Sequence, residues 1–144
     1  MDFGLTSCRI VLAEDNPADV GLVRRALQEH AIQCDLRVIS DGEEVVSYIT
    51  GLDRDSDLPC PDLLLLDMHL PKRDGNEVLR HLRASERCGR TPVVVFTSSD
   101  PAWEEQSAEG NAAATHYFQK PSSLDKFMQL GRVIKEVMGG APAC

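Results

Sequence analysis

Glu14 and Asp15 follow the apolar run of "VLAEDNP", Asp67 follows the four leucines of "LLLLDMHLP", Thr97 follows the apolar run of "VVVFTSSD" and Lys120 stands before the proline of "YFQKP". Each reactive group stands directly after a short apolar segment, so a fold that aligns those segments would gather three carboxylates, a hydroxyl and an ammonium at one edge. Carboxylates about 4 Å apart repel by several kcal/mol per pair at an effective dielectric near 20. A hard divalent cation relieves that cost, and Mg²⁺ suits carboxylate, carbonyl, water and phosphate oxygens. With such an ion present, Asp67 can act as a nucleophile toward a phosphoryl group. Lys120 can pair with one phosphoryl oxygen, Thr97 can donate to another, and Ser98 is small enough to leave room. Pro121 after Lys120 invites a cis peptide that re-aims the lysine.

The elements that must position these groups follow from hydrophobic period. Short runs rich in Val, Ile and Leu alternate with stretches of helical spacing, the pattern of a parallel sheet covered on both faces. Strands are expected over 9–13, 35–39, 62–66, 92–97 and 115–119. The first helix opens after Asn16 with Pro17 at its first position, and Val20, Val23 and Leu27 form its core face. Asp41 and Gly42 open a second helix, Asp74 with Glu77 resembles a capping box for a third, and Asp100 with Pro101 starts a loosely anchored fourth containing Trp103. Ser122 with Asp125 caps the last helix, whose stripe is Phe127, Leu130, Ile134 and Val137. The polar stretch from Thr50 to Pro61 reads as a surface loop, and residues 139–144 as a fraying tail.

The chain has 144 residues and a formal net charge of -8. One domain with its core over about 8–138 accounts for that length. The acidic balance argues against an electrostatic grip on nucleic acid or anionic lipid. No apolar run reaches the roughly 18 residues of a membrane span. Cys8, Cys34, Cys60, Cys88 and Cys144 are odd in number and scattered, so neither a disulfide framework nor a zinc site is expected, which points to a reducing cytoplasm.

Taken together, these residues resemble the receiver domains of two-component response regulators over nearly the whole chain. The resemblance implies a flavodoxin-like (βα)5 fold with strand order 2-1-3-4-5. It implies phosphorylation of Asp67 by a sensor histidine kinase, with Mg²⁺ held by Asp15, Asp67 and the backbone carbonyl of His69, Glu14 acting through water, and Thr97 and Lys120 on the phosphoryl group. It also implies that Thr97 and Tyr117 rearrange together and switch a face built from the fourth helix, fifth strand and fifth helix, used for partners or for a homodimer. The acidic pair is Glu-Asp rather than Asp-Asp. The opening "VLAEDNPADVGLVRRAL", the long loop before the third strand and the lack of an output domain are similar to stand-alone receivers paired with phytochrome-type kinases.

Taken singly, Asp15 could merely cap a helix, Asp67 could be a turn carboxylate and Lys120 a solvated charge; their joint placement at strand ends favours a site. The ring of His69 has no companion at metal-ligand spacing and is expected at the surface. An Asp-nucleophile phosphatase would want a second acid two residues after Asp67, where His69 stands. An adaptor without the chemistry would show a gap among Glu14, Asp15, Asp67, Thr97 and Lys120, and none is present.

Overall fold

Leu63 to Leu66 all lie buried because they form a central strand whose side chains alternate between two cores. Leu64 and Leu66 enter the core on one face of the sheet, Leu63 and Leu65 the core on the other. The computed structural model describes residues 8–98 and 114–139. Within them run β1 (Cys8–Ala13), α1 (Pro17–Glu29), β2 (Cys34–Ile39), α2 (Gly42–Arg54), β3 (Leu63–Leu66), α3 (Gly75–Arg83), β4 (Val93–Thr97), β5 (His116–Gln119), α4 (Leu124–Phe127) and α5 (Leu130–Val137). The strands form one parallel sheet in the order β2-β1-β3-β4-β5, the flavodoxin-like arrangement.

Each face has its own helices. Val45, Ile49 and Leu52 of α2 and Val78, Leu79 and Leu82 of α3 pack over Val11, Leu64 and Val95. Val23, Ala26 and Leu27 of α1 and Leu130 and Ile134 of α5 pack over Ile10, Leu12, Leu65 and Phe96. The N-caps are built as their residue types demand: Asn16 Oδ1 accepts from the Ala18 amide, Asp41 Oδ1 from Glu44 and Asp74 Oδ1 from Glu77.

Three local expectations are corrected. The second helix does not stop before Thr50 but continues to Arg54, because Leu52 is buried in the core and the Thr50 hydroxyl donates back to the Val46 carbonyl. The last helix is capped by Ser123, one residue later than expected, and it is broken into α4 and α5. At the break His30 Nε2 lies 2.9 Å from the Met128 carbonyl, the acceptor a continuous helix would give to Arg132, and Arg132 bonds to Gln129 instead. Finally, Cys60 and Cys88 form a disulfide across a separation of 28 residues. The turn after α3 is folded beside the loop before β3, bringing their Cα atoms to 5.6 Å, a proximity no spacing motif reveals. The cysteine pattern therefore gives no argument for a reducing compartment. The expected fourth helix at Asp100 and Trp103 and the tail beyond Gly139 lie outside the described residues.

Candidate functional site

The register of the sheet brings the reactive groups together. Ala13 pairs with Leu66, so Glu14 and Asp67 leave β1 and β3 side by side, and the Asp67 amide donates to the Ala13 carbonyl at 3.0 Å. Thr97 pairs with Gln119, which places Lys120 directly beyond β5, its amide 2.7 Å from the Thr97 carbonyl. Glu14 is fixed in turn by its own amide, which donates to Ile39, and by the Asn16 amide, which donates to Glu14 Oε2 at 3.0 Å.

Glu14, Asp15 and Asp67 each offer a carboxylate oxygen, and these oxygens lie within 4.8 Å of one another. Glu14 and Asp67 are buried while Asp15 faces solvent. Three hard oxygen donors with one open side fit a Mg²⁺-type ion, which keeps several waters and takes few protein ligands. The Lys120 ammonium adds the compensating charge: Nζ lies 2.9 Å from Glu14 Oε1, 2.8 Å from Asp19 Oδ2 and 3.6 Å from Asp67 Oδ2, with the Phe96 ring 4.8 Å away. Burial pushes the Glu14 carboxyl up to about 7, against the opposing pull of its Lys120 and Asn16 hydrogen bonds. Burial works to lower the Lys120 ammonium, but the hydrogen bonds it donates to Asp19 and Glu14 and the charge of Asp67 outweigh it, so its pKa is raised.

The loop after Asp67 is held from both ends. The His69 amide donates to Asp67 Oδ1 at 3.1 Å while its side chain is exposed. The Gly75 amide donates to the Met68 carbonyl and the Gly42 amide to the Pro71 carbonyl, each at 3.0 Å. Arg73 Nε donates to Glu43 at 2.8 Å, so this loop is strapped to the start of α2.

Thr97 is fully buried, Ser98 is exposed, and Tyr117 is half-buried on β5, where its hydroxyl oxygen lies 3.5 Å from the Ala114 amide. The Lys120–Pro121 peptide is trans, which corrects the expected cis bond. Trans is the lower-energy isomer, and Lys120 reaches its three carboxylates without the re-aiming a cis bond would give. Sequence reasoning missed Asp19. Its signal was the position three residues after the Asn16 cap, where a carboxylate lies over the opening turn of the helix.

Fold and site together define a doubly wound α/β protein with a carboxylate-lined edge and a lysine at the carboxyl ends of its strands. Residues 10–132 match the response regulator receiver domain, and the chain belongs to that family. It is 38% identical over 130 residues to the response regulator Rcp1 of Synechocystis, covering 90% of this chain and 84% of that protein. The phosphorylated cyanobacterial phytochrome response regulator RcpA superimposes with a TM-score of 0.77 at 30% identity, over 91% of this chain and 93% of that one. The Mn²⁺-bound form of Rcp1 gives 0.76 at 29% identity, over 90% and 92%.

Proposed function

We propose that this receiver accepts a phosphoryl group on Asp67 from a sensor histidine kinase in a Mg²⁺-dependent reaction and thereby switches a surface for partner binding. The observation that carries the reading is the convergence on Asp67: its carboxylate lies within 4.8 Å of those of Glu14 and Asp15 and 3.6 Å from the Lys120 ammonium. The Mn²⁺-bound relative supports a divalent ion in this cluster.

An oxygen of the Asp67 carboxylate attacks the phosphorus of a phosphohistidine. The O–P bond forms as the P–N bond breaks, and the electron pair leaves with the imidazole, which takes a proton from water. Mg²⁺, held by Asp15, Asp67, the His69 carbonyl and, through water, Glu14, would supply neutralising charge to the phosphoryl oxygens. Lys120 pairs with one of those oxygens, the Thr97 hydroxyl donates to a second, and the small Ser98 leaves the approach open. Movement of Thr97 toward the phosphoryl group then frees space that Tyr117, two residues before Gln119, the strand partner of Thr97, can take up. That displacement alters the β5 face, which serves to dock a partner or a second copy.

The likeness to RcpA supports a partner kinase of phytochrome type, with the receiver working as a phosphoacceptor in signalling rather than as an enzyme with an external substrate. The test is intact mass after incubation with acetyl phosphate, with and without Mg²⁺, for the natural protein and Asp67→Asn. One hydroxylamine-labile phosphoryl group is expected on the natural protein with Mg²⁺ and on neither control. A natural protein left unmodified by both acetyl phosphate and a panel of phosphorylated histidine kinases would overturn the reading.

A further inference from the structure

We propose that Asp19 is a positioning residue for Lys120, holding its ammonium aside from Asp67 until a phosphoryl group draws it across. The proposal rests on the function proposed above. Lys120 Nζ makes hydrogen bonds of 2.8 Å to Asp19 Oδ2 and 2.9 Å to Glu14 Oε1, whereas Asp67 Oδ2 lies at 3.6 Å, an ion-pair distance beyond hydrogen-bond length. An ammonium has three donors, and two of them are committed to the α1 side of the site.

Asp19 is well placed to keep that hold. It is the third residue of α1, in a turn fixed by Pro17 and by Asn16 Oδ1, which accepts from both the Ala18 and Asp19 amides. The side chains of Asp19 and Lys120 are 21% and 14% exposed, so their charge-assisted bond forms largely out of water. Asp19 lies outside the trio of carboxylates that could hold an ion, so removing it leaves Glu14, Asp15 and Asp67 in place.

A phosphoryl group on Asp67 must therefore compete with Asp19 for Lys120. Glu14 can be occupied by an ion when one binds, but Asp19 remains a rival throughout. Its carboxylate thus sets how firmly Lys120 grips the phosphoryl group, and so how completely phosphorylation shifts the domain to its switched state.

The experiment is a titration of the full chain with beryllofluoride, a phosphoryl mimic, at saturating Mg²⁺, followed by ¹⁹F NMR. Asp19→Ala is expected to tighten binding on the order of tenfold, the size of one charge-assisted hydrogen bond. Asp19→Glu restores the natural affinity, and in a Lys120→Met background Asp19→Ala changes it less than about twofold. An equal gain with and without Lys120 would show a through-space charge effect and overturn the proposal, as would unchanged or weaker binding in Asp19→Ala. A natural protein that binds no beryllofluoride overturns the proposed function first, and this role for Asp19 with it.

Discussion

Lys120 and Glu14 are 106 residues apart in sequence, yet Lys120 Nζ lies 2.9 Å from Glu14 Oε1 inside the protein. β1 delivers the glutamate and β5 the lysine, strands separated in the sheet by β3 and β4. Lys120 offsets part of the cost of burying Glu14, but burial still dominates and leaves the carboxyl at about 7.

That value predicts a pH-dependent metal affinity. Divalent ions bind the ionised carboxylate, so between about pH 5 and 7 binding must expel the Glu14 proton. The apparent Mg²⁺ affinity is expected to rise up to tenfold per pH unit in that window and to level off above it. Glu14→Gln should flatten the rise, as measured by titration calorimetry. The same proton sets a stability trend in metal-free protein. Between about 4.5 and 7 the folded state holds it and the unfolded chain does not, so the Glu14 contribution falls as pH rises. A Mg²⁺ affinity independent of pH across this window would contradict the assignment.

Gly42 fixes the loop that follows Asp67. A Cβ there would stand 2.0 Å from the Arg73 carbonyl oxygen and 2.8 Å from its carbon, backbone atoms that cannot step aside alone. Gly42→Ala must therefore push the loop off α2, lengthening the Gly42–Pro71 hydrogen bond. A loss of about 1–3 kcal/mol in urea denaturation is expected. Slower phosphoryl uptake at Asp67 should accompany it, since the His69 carbonyl and amide belong to the displaced loop; a variant with natural stability and rate would show that the loop yields freely.

What could be read in the sequence was mostly local. The caps at Asn16, Asp41 and Asp74 lie within three residues of the amides they satisfy, and the strand ends at Ala13, Ile39, Leu66, Thr97 and Gln119 coincide with the ends of apolar runs. The long-range pairings were hidden by the same logic. Asp19 looks like an ordinary first-turn carboxylate until Lys120 arrives from 101 residues away. His30 looks like a surface residue at a helix end, and only the packing of α1 on α5 turns its ring toward Met128. The resemblance of the strand-end residues to a family bridged that gap for the carboxylates and lysine, but not for Asp19, His30 or the cysteine pair.

The Cys60–Cys88 disulfide ties the amino end of β3 to that of β4, opposite the strand ends that carry Asp67 and Thr97. Closing a loop of this length removes freedom from the unfolded chain worth about 3–4 kcal/mol. Cys60→Ala with Cys88→Ala should lower stability by at least about that amount in urea titrations under oxidising conditions. Phosphoryl uptake at Asp67 should be unchanged in the folded double variant, because the cross-link lies at the far edge of the sheet. A drop in uptake without a drop in stability would mean the cross-link acts on the site.

The packing of α1 on α5 leaves one further sharp dependence. A Cβ on Gly131 would lie 2.1 Å from His30 Cδ2, 2.5 Å from its Cγ and 2.9 Å from the Ala26 carbonyl oxygen. The ring could escape only by giving up its contact with the Met128 carbonyl, leaving a half-buried acceptor without that partner. Gly131→Ala should therefore cost about 1–3 kcal/mol despite the better helix propensity of alanine. In a His30→Ala background the ring is gone and only the Ala26 carbonyl remains close, so the same substitution should cost less than half as much. Urea midpoints of the four proteins complete the cycle, and strictly additive losses would show that the ring and the glycine do not constrain each other.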